Sequence, residues 1–114
     1  MKGDRVYLLH IRDAILRVTE YTAEGRAAFI SRPMIQDAVV RNLEIIGEAV
    51  KNRTEPLKAH HPEIAWKRIA GMRDKMIHEY FGVNLQLVWE AVERDLPQLR
   101  VAIESMLRQL SGKD

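Results

Sequence analysis

Arg73-Asp74-Lys75-Met76-Ile77-His78-Glu79-Tyr80 sets a guanidinium, a carboxylate, an imidazole and a phenol in one short stretch that reads as helix. Asp74 precedes His78 by four residues, the spacing at which two side chains on a helix touch, so the carboxylate can fix the imidazole tautomer and raise its basicity. The same spacing also fits ordinary surface pairs, Asp74 with His78 and Lys75 with Glu79. At about 100° per residue Arg73 and Tyr80 fall on nearly one face, whereas His78 lies roughly 140° around the axis from Arg73. A single helix therefore aims all three groups at one point only if it ends or bends near His78, or if a second copy of the chain completes the site.

The surroundings of this octet are basic. From Lys51 to Tyr80, Lys51, Arg53, Lys58, Lys67, Arg68, Arg73 and Lys75 stand against Glu55, Glu63, Asp74 and Glu79, an excess of three positive charges in a chain whose net charge is +2. Such a local field concentrates a phosphate-bearing ligand. A solvated helix face that happens to be basic accounts for it equally well. His60-His61 invites a metal reading, but adjacent side chains diverge, so no metal site is expected.

The elements that must position the octet follow from apolar spacing. A first helix opens near Asp4, a good N-cap, and runs to about Tyr21 on a seam of Tyr7, Ile11, Ala14, Val18 and Tyr21, widened by Leu8 and Ile15. Thr22 to Arg32 reads as a connector with Phe29 and Ile30 tucked onto the core. Ser31-Arg32-Pro33 starts a second helix, to about Lys51 or Asn52, with Ile35, Ala38, Val39, Leu43, Ile46, Ala49 and Val50 inward. Arg41, Glu44, Glu48 and Lys51 line another face as a charged stripe, Arg41 having the alternative of reaching into a cleft. Gly47 in mid-helix marks a close crossing by another helix.

Arg53 to His61 reads as a polar connector, and Pro62-Glu63-Ile64-Ala65-Trp66 as a short third helix that Gly71 breaks or re-aims just before Arg73. A helix opening at Arg73 would favour an anion at its N-terminus. After Phe81-Gly82-Val83, Asn84 caps a helix with Leu87, Val88, Ala91, Val92 and Leu96 inward. Pro97 restarts the chain as a last helix carrying Leu99, Ala102, Ile103, Met106, Leu107 and Leu110 on one side. Trp66 and Trp89 read as core or interface packing. There is no period-2 strand, glycine-rich phosphate loop, Ser-His-Asp or Cys-His arrangement, or internal repeat. The predicted architecture is all-α, an antiparallel bundle of four main helices plus a short fifth.

Composition agrees. Residues 1–114, with 46% hydrophobic and 30% charged residues, read as one globular domain, short for a helical protein that also encloses a deep pocket; association between chains is the natural remedy. The chain has no cysteine, which excludes disulfides and thiolate metal sites. No apolar run approaches the ~20 residues of a membrane span, and no signal-peptide core follows Met1-Lys2-Gly3-Asp4, so a cytoplasmic location without membrane attachment is expected.

Residue physics alone does not name a reaction. Arg73, four residues, His78, one residue and Tyr80 resemble the Arg-x4-His-x-Tyr signature of the HepT-like branch of the HEPN family. Arg41-Asn42-Leu43-Glu44-Ile45-Ile46-Gly47-Glu48-Ala49, Trp66-Lys67-Arg68-Ile69-Ala70-Gly71-Met72-Arg73, and Tyr80-Phe81-Gly82-Val83 followed by Val88-Trp89 resemble family blocks in the same order. The resemblance implies an all-α homodimer built around the motif helix that acts as a metal-independent ribonuclease toxin without cofactor. It implies a minimal nucleotidyltransferase as cognate antitoxin. His78 would be the acid or base and Arg73 the phosphate clamp, Asp74 matching the polar position after the motif arginine. Tyr80 would accept adenylyl groups from the antitoxin; the alternative for Tyr80 is a half-buried side chain filling the interface. The rival expectation for the whole chain is a non-catalytic helical bundle that serves the nucleotidyltransferase as a binding partner.

Overall fold

A computed structural model describes residues 2–53, 55–71 and 84–112. Among them every regular element is helical: α1 (Lys2–Tyr21), α2 (Arg26–Ser31), α3 (Pro33–Arg53), α4 (Glu55–His60), the helical residues 66–71, α5 (Leu85–Glu90), a π-helical turn (Ala91–Asp95) and α6 (Leu96–Gly112). The all-α expectation is met over these residues.

The long helices are amphipathic at the expected register. Ile11, Ala14, Ile15 and Val18 of α1 meet Val39, Leu43, Ile46 and Val50 of α3 and Leu99, Ala102 and Ile103 of α6 in one buried cluster. α1 packs along both α3 and α6 and so forms the centre of the described fold. The seam frays at its end: Tyr21 is exposed, one residue before the chain leaves the helix. Gly47 is buried within α3.

Four expectations about the elements themselves are corrected here, and with them the placement of single side chains. The stretch after α1 is not a plain connector but contains α2, entered through Gly25 at φ 95° and ψ −176°, a region open essentially to glycine alone. Its last turn is closed from outside, because the Gln36 side-chain amide donates to the carbonyls of both Phe29 and Ile30 at 2.9 Å. Arg32 then turns extended, as a residue before proline must. Phe29 is fully buried, but Ile30, one residue on and about 100° around a short helix, is 42% exposed.

The second correction is α4, where a polar connector was expected. Its Pro56 stands in the first turn, where a missing N–H costs no helical bond. Third, Pro62 does not open a helix; residues 62–64 form a turn, with Ile64 N–H bonded to the His61 carbonyl at 3.2 Å, and the next helix starts at Trp66. This is the β-turn role of proline at its second position. Gly71 still belongs to that helix, and whatever follows it lies outside the described residues.

Fourth, Pro97 does not restart the chain. Backbone dihedrals stay right-handed helical from α5 through the π turn into α6, and the Leu96 N–H bonds to the Ala91 carbonyl, a five-residue step. A proline inside an α-helix collides with the carbonyl four residues back, and the wider π turn just before Pro97 relieves this without ending the helix. Leu87, assigned to the inner face, is 54% exposed, while Val88, Ala91 and Leu96 are buried as expected.

Candidate functional site

Arg73, Asp74, His78 and Tyr80 all lie in the segment 72–83, outside the described residues. The structure describes the elements by which the chain enters and leaves it.

The entry is the helix over 66–71, held by Trp66, Arg68, Ile69 and Ala70. The Trp66 indole N–H donates to the His61 carbonyl at 2.7 Å, folding the ring back over the preceding turn, and Trp66 is buried. Ile69 is fully buried in the core cluster. Arg68 reaches out of this helix and donates through a terminal guanidinium nitrogen to Asp95, the last residue of the π turn. The hydrogen bond to Asp95, reinforced by the charge of that carboxylate, raises the Arg68 pKa above its already high ordinary value. The pair lies 27 residues apart in sequence.

The exit is capped locally. The Asn84 side-chain oxygen accepts from the N–H groups of Gln86 and Leu87 at 3.0 and 3.2 Å, and its backbone is extended, as an N-cap residue's is. One turn later Trp89 packs on Phe29, ring centroids 5.5 Å apart, which ties α5 to α2.

Around the entry the surface is basic: Lys67 and Arg68 are exposed beside the turn, and Lys58 is partly buried on α4. Arg41 is exposed on α3. His60 is exposed, while His61 is partly buried with its Nδ1 3.3 Å from Glu63 Oε2. A backbone hydrogen bond, then the one with His61, holds the Glu63 carboxyl below its ordinary pKa. Among the described residues no three His, Cys, Asp or Glu side chains gather in a group able to hold a metal ion.

Sequence reasoning passed over two residues, Asn42 and Asp95, which are the buried polar side chains among the described residues. Asn42 accepts from Arg17 Nε at 2.9 Å and donates to the Ala38 carbonyl at 2.8 Å, joining α1 to α3. A signal for both was present. Asn42 stands between Val39 and Leu43, and Asp95 between Ala91 and Leu99, so each is a polar side chain at an apolar register of its helix.

The Ribonuclease HepT-like family profile matches residues 11–106, a span that contains the octet and both of its flanks. The chain belongs to the HepT-like ribonuclease family. Over 113 residues this HepT-like chain is 43% identical to a protein of Caldanaerobacter subterraneus subsp. tengcongensis provisionally named an RNase, covering 96% of this chain and 98% of the relative. It is 45% identical over 106 residues to the probable ribonuclease HepT of Thermococcus cleftensis, covering 92% and 96% of the two chains. A provisionally named RNase of Methanocaldococcus jannaschii is 35% identical over 114 residues, at 99% and 94% coverage. No solved structure matches the HepT-like chain. None of its described helices is long and apolar enough to cross a membrane.

Proposed function

We propose that this chain is a metal-independent endoribonuclease and the toxin of a toxin–antitoxin pair, acting in the cytoplasm as a single-domain protomer of a homodimer. The observation that carries the reading is Arg73-x4-His78-x-Tyr80 standing inside a family match that runs from residue 11 to residue 106. Cleavage of RNA without a metal needs a base to take the ribose 2′-OH proton, an acid to protonate the leaving 5′-oxygen, and positive charge on the pentacoordinate phosphorus. As the new 2′-O–P bond forms and the P–O5′ bond breaks, the products are a 2′,3′-cyclic phosphate and a 5′-hydroxyl. His78 is the acid or base, oriented by Asp74, and Arg73 clamps the phosphate through a planar pair of N–H donors.

Each chain supplies one motif histidine. A two-fold dimer brings two motifs to a shared cleft, providing both acid and base and removing the angular mismatch between Arg73 and His78 on one helix. The partner that controls the cleft is a minimal nucleotidyltransferase that adenylylates Tyr80, adding bulk and negative charge where RNA must lie.

The deciding experiment incubates purified dimer with end-labelled RNA in EDTA beside His78→Ala. Cleavage by wild type to fragments ending in a cyclic phosphate, absent from the folded variant, is the expected result. Intact RNA with a folded, dimeric wild type would assign the chain to the non-catalytic role of binding the nucleotidyltransferase.

A further inference from the structure

The helix over 66–71 meets the rest of the described fold through Trp66, Ile69, Ala70 and Arg68, and these attachments differ in kind. Trp66 and Ile69 bury apolar surface, which resists separation but tolerates small rotations and slides. The Arg68–Asp95 pair is directional. The Asp95 side chain is 8% exposed and that of Arg68 65% exposed, so the carboxylate has left water and depends on its partner, whereas the guanidinium remains solvated. The constraint therefore falls on where Arg68, and the helix carrying it, must sit.

The acceptor is itself specially placed. Asp95 closes the π turn of the long C-terminal helical rod, and such single π turns within α-helices recur at functional sites. Beyond Arg68, Ile69 and Ala70 add apolar contact with the core. Among the described residues, nothing lies within 4 Å of a Cβ added at Gly71. Two residues later in sequence comes Arg73.

We propose that Asp95 is a positioning residue for the ribonuclease reaction, acting through Arg68 to fix the helix from which the chain runs on to Arg73. This rests on the ribonuclease reading above. Misplacing a catalytic group by about 1 Å costs on the order of 100-fold in rate, so loosening this helix should appear in turnover before it appears in binding.

The test compares wild-type dimer with Arg68→Ala, Asp95→Asn and the double variant, assayed on RNA well below each melting transition, with amide hydrogen exchange measured on the same samples. Expected is a fall in kcat of about 10–100-fold in each single variant with KM within about twofold, and no further loss in the double variant, since both changes break one link. Exchange should quicken about tenfold or more at 66–71 while α1 and α3 keep their protection. Unchanged kcat per folded molecule, additive losses, or exchange that quickens equally along the whole chain would overturn the proposal and leave the pair a general stabiliser. If wild type leaves RNA intact, the ribonuclease reading fails and the kinetic role with it. In that case exchange alone decides whether Arg68 and Asp95 hold the 66–71 helix.

Discussion

The ring of Phe29 lies 5.5 Å from that of Trp89 at an interplanar angle of 36°, so the six-residue helix α2 is pinned to the helix by which the chain leaves the motif segment. A helix this short is unstable alone, and contact with its fully buried phenylalanine holds it in place.

Phe29→Ala should therefore destabilise the protein by about 3–5 kcal/mol, through lost burial and the cavity left beside Trp89. Denaturant titration followed by tryptophan fluorescence measures both the stability and the altered surroundings of the indole. A change below about 1 kcal/mol would mean that the site collapses around the smaller side chain and that α2 contributes little.

Asn84→Ala removes the acceptor for the Gln86 and Leu87 N–H groups and should cost about 1 kcal/mol, with fraying confined to the start of α5. Amide exchange at Gln86 and Leu87 reads this directly. Unaltered protection there would show that water replaces the cap at no cost.

Arg73→Ala and His78→Ala should each lose RNA cleavage by at least ~100-fold while circular dichroism and melting stay near wild type. Undiminished cleavage by either folded variant would remove that residue from the proposed mechanism. Sedimentation of wild type at micromolar concentration should show a dimer, and a fully active monomer would refute the shared cleft.

Tyr80→Phe should keep the fold and much of the ribonuclease activity while escaping the antitoxin. On a motif helix the phenol falls about 20° from Arg73 around the axis, so an adenylyl phosphate on Tyr80 would come within reach of the guanidinium and neutralise the clamp. Intact mass after incubation with the nucleotidyltransferase and ATP is the measurement. AMP increments that persist on the phenylalanine variant would place the acceptor elsewhere.

Much of the helical framework was legible in the sequence because helical periodicity is local. The apolar spacing through Ile11, Ala14 and Val18, through Val39, Leu43 and Ile46, and through Leu99, Ala102 and Ile103 marks the buried faces, and the structure buries every one of these side chains. Asn84 was legible as a cap for the same reason, since its partners are two and three residues away. The chemistry-bearing residues Arg73, Asp74, His78 and Tyr80 were legible as types at a spacing, and their arrangement lies outside the described residues.

What tertiary structure alone decided concerns partners far apart in the chain. α2 and α4 are too short for their own hydrogen bonds to sustain, so sequence pattern reads them as connectors, and for α2 it is the packing of buried Phe29 on Trp89 that makes it a helix. Pro97 looks like a helix start until the π turn before it absorbs the steric conflict and lets one rod run from Leu85 to Gly112. Asn42 and Asp95 look like flaws in apolar stripes, and only the folded chain supplies Arg17 from 25 residues away and Arg68 from 27. Spacing along a helix states which side chains share a face. It does not state which distant group that face will meet, because that depends on how the helices cross, and the crossing is settled by packing of the whole core.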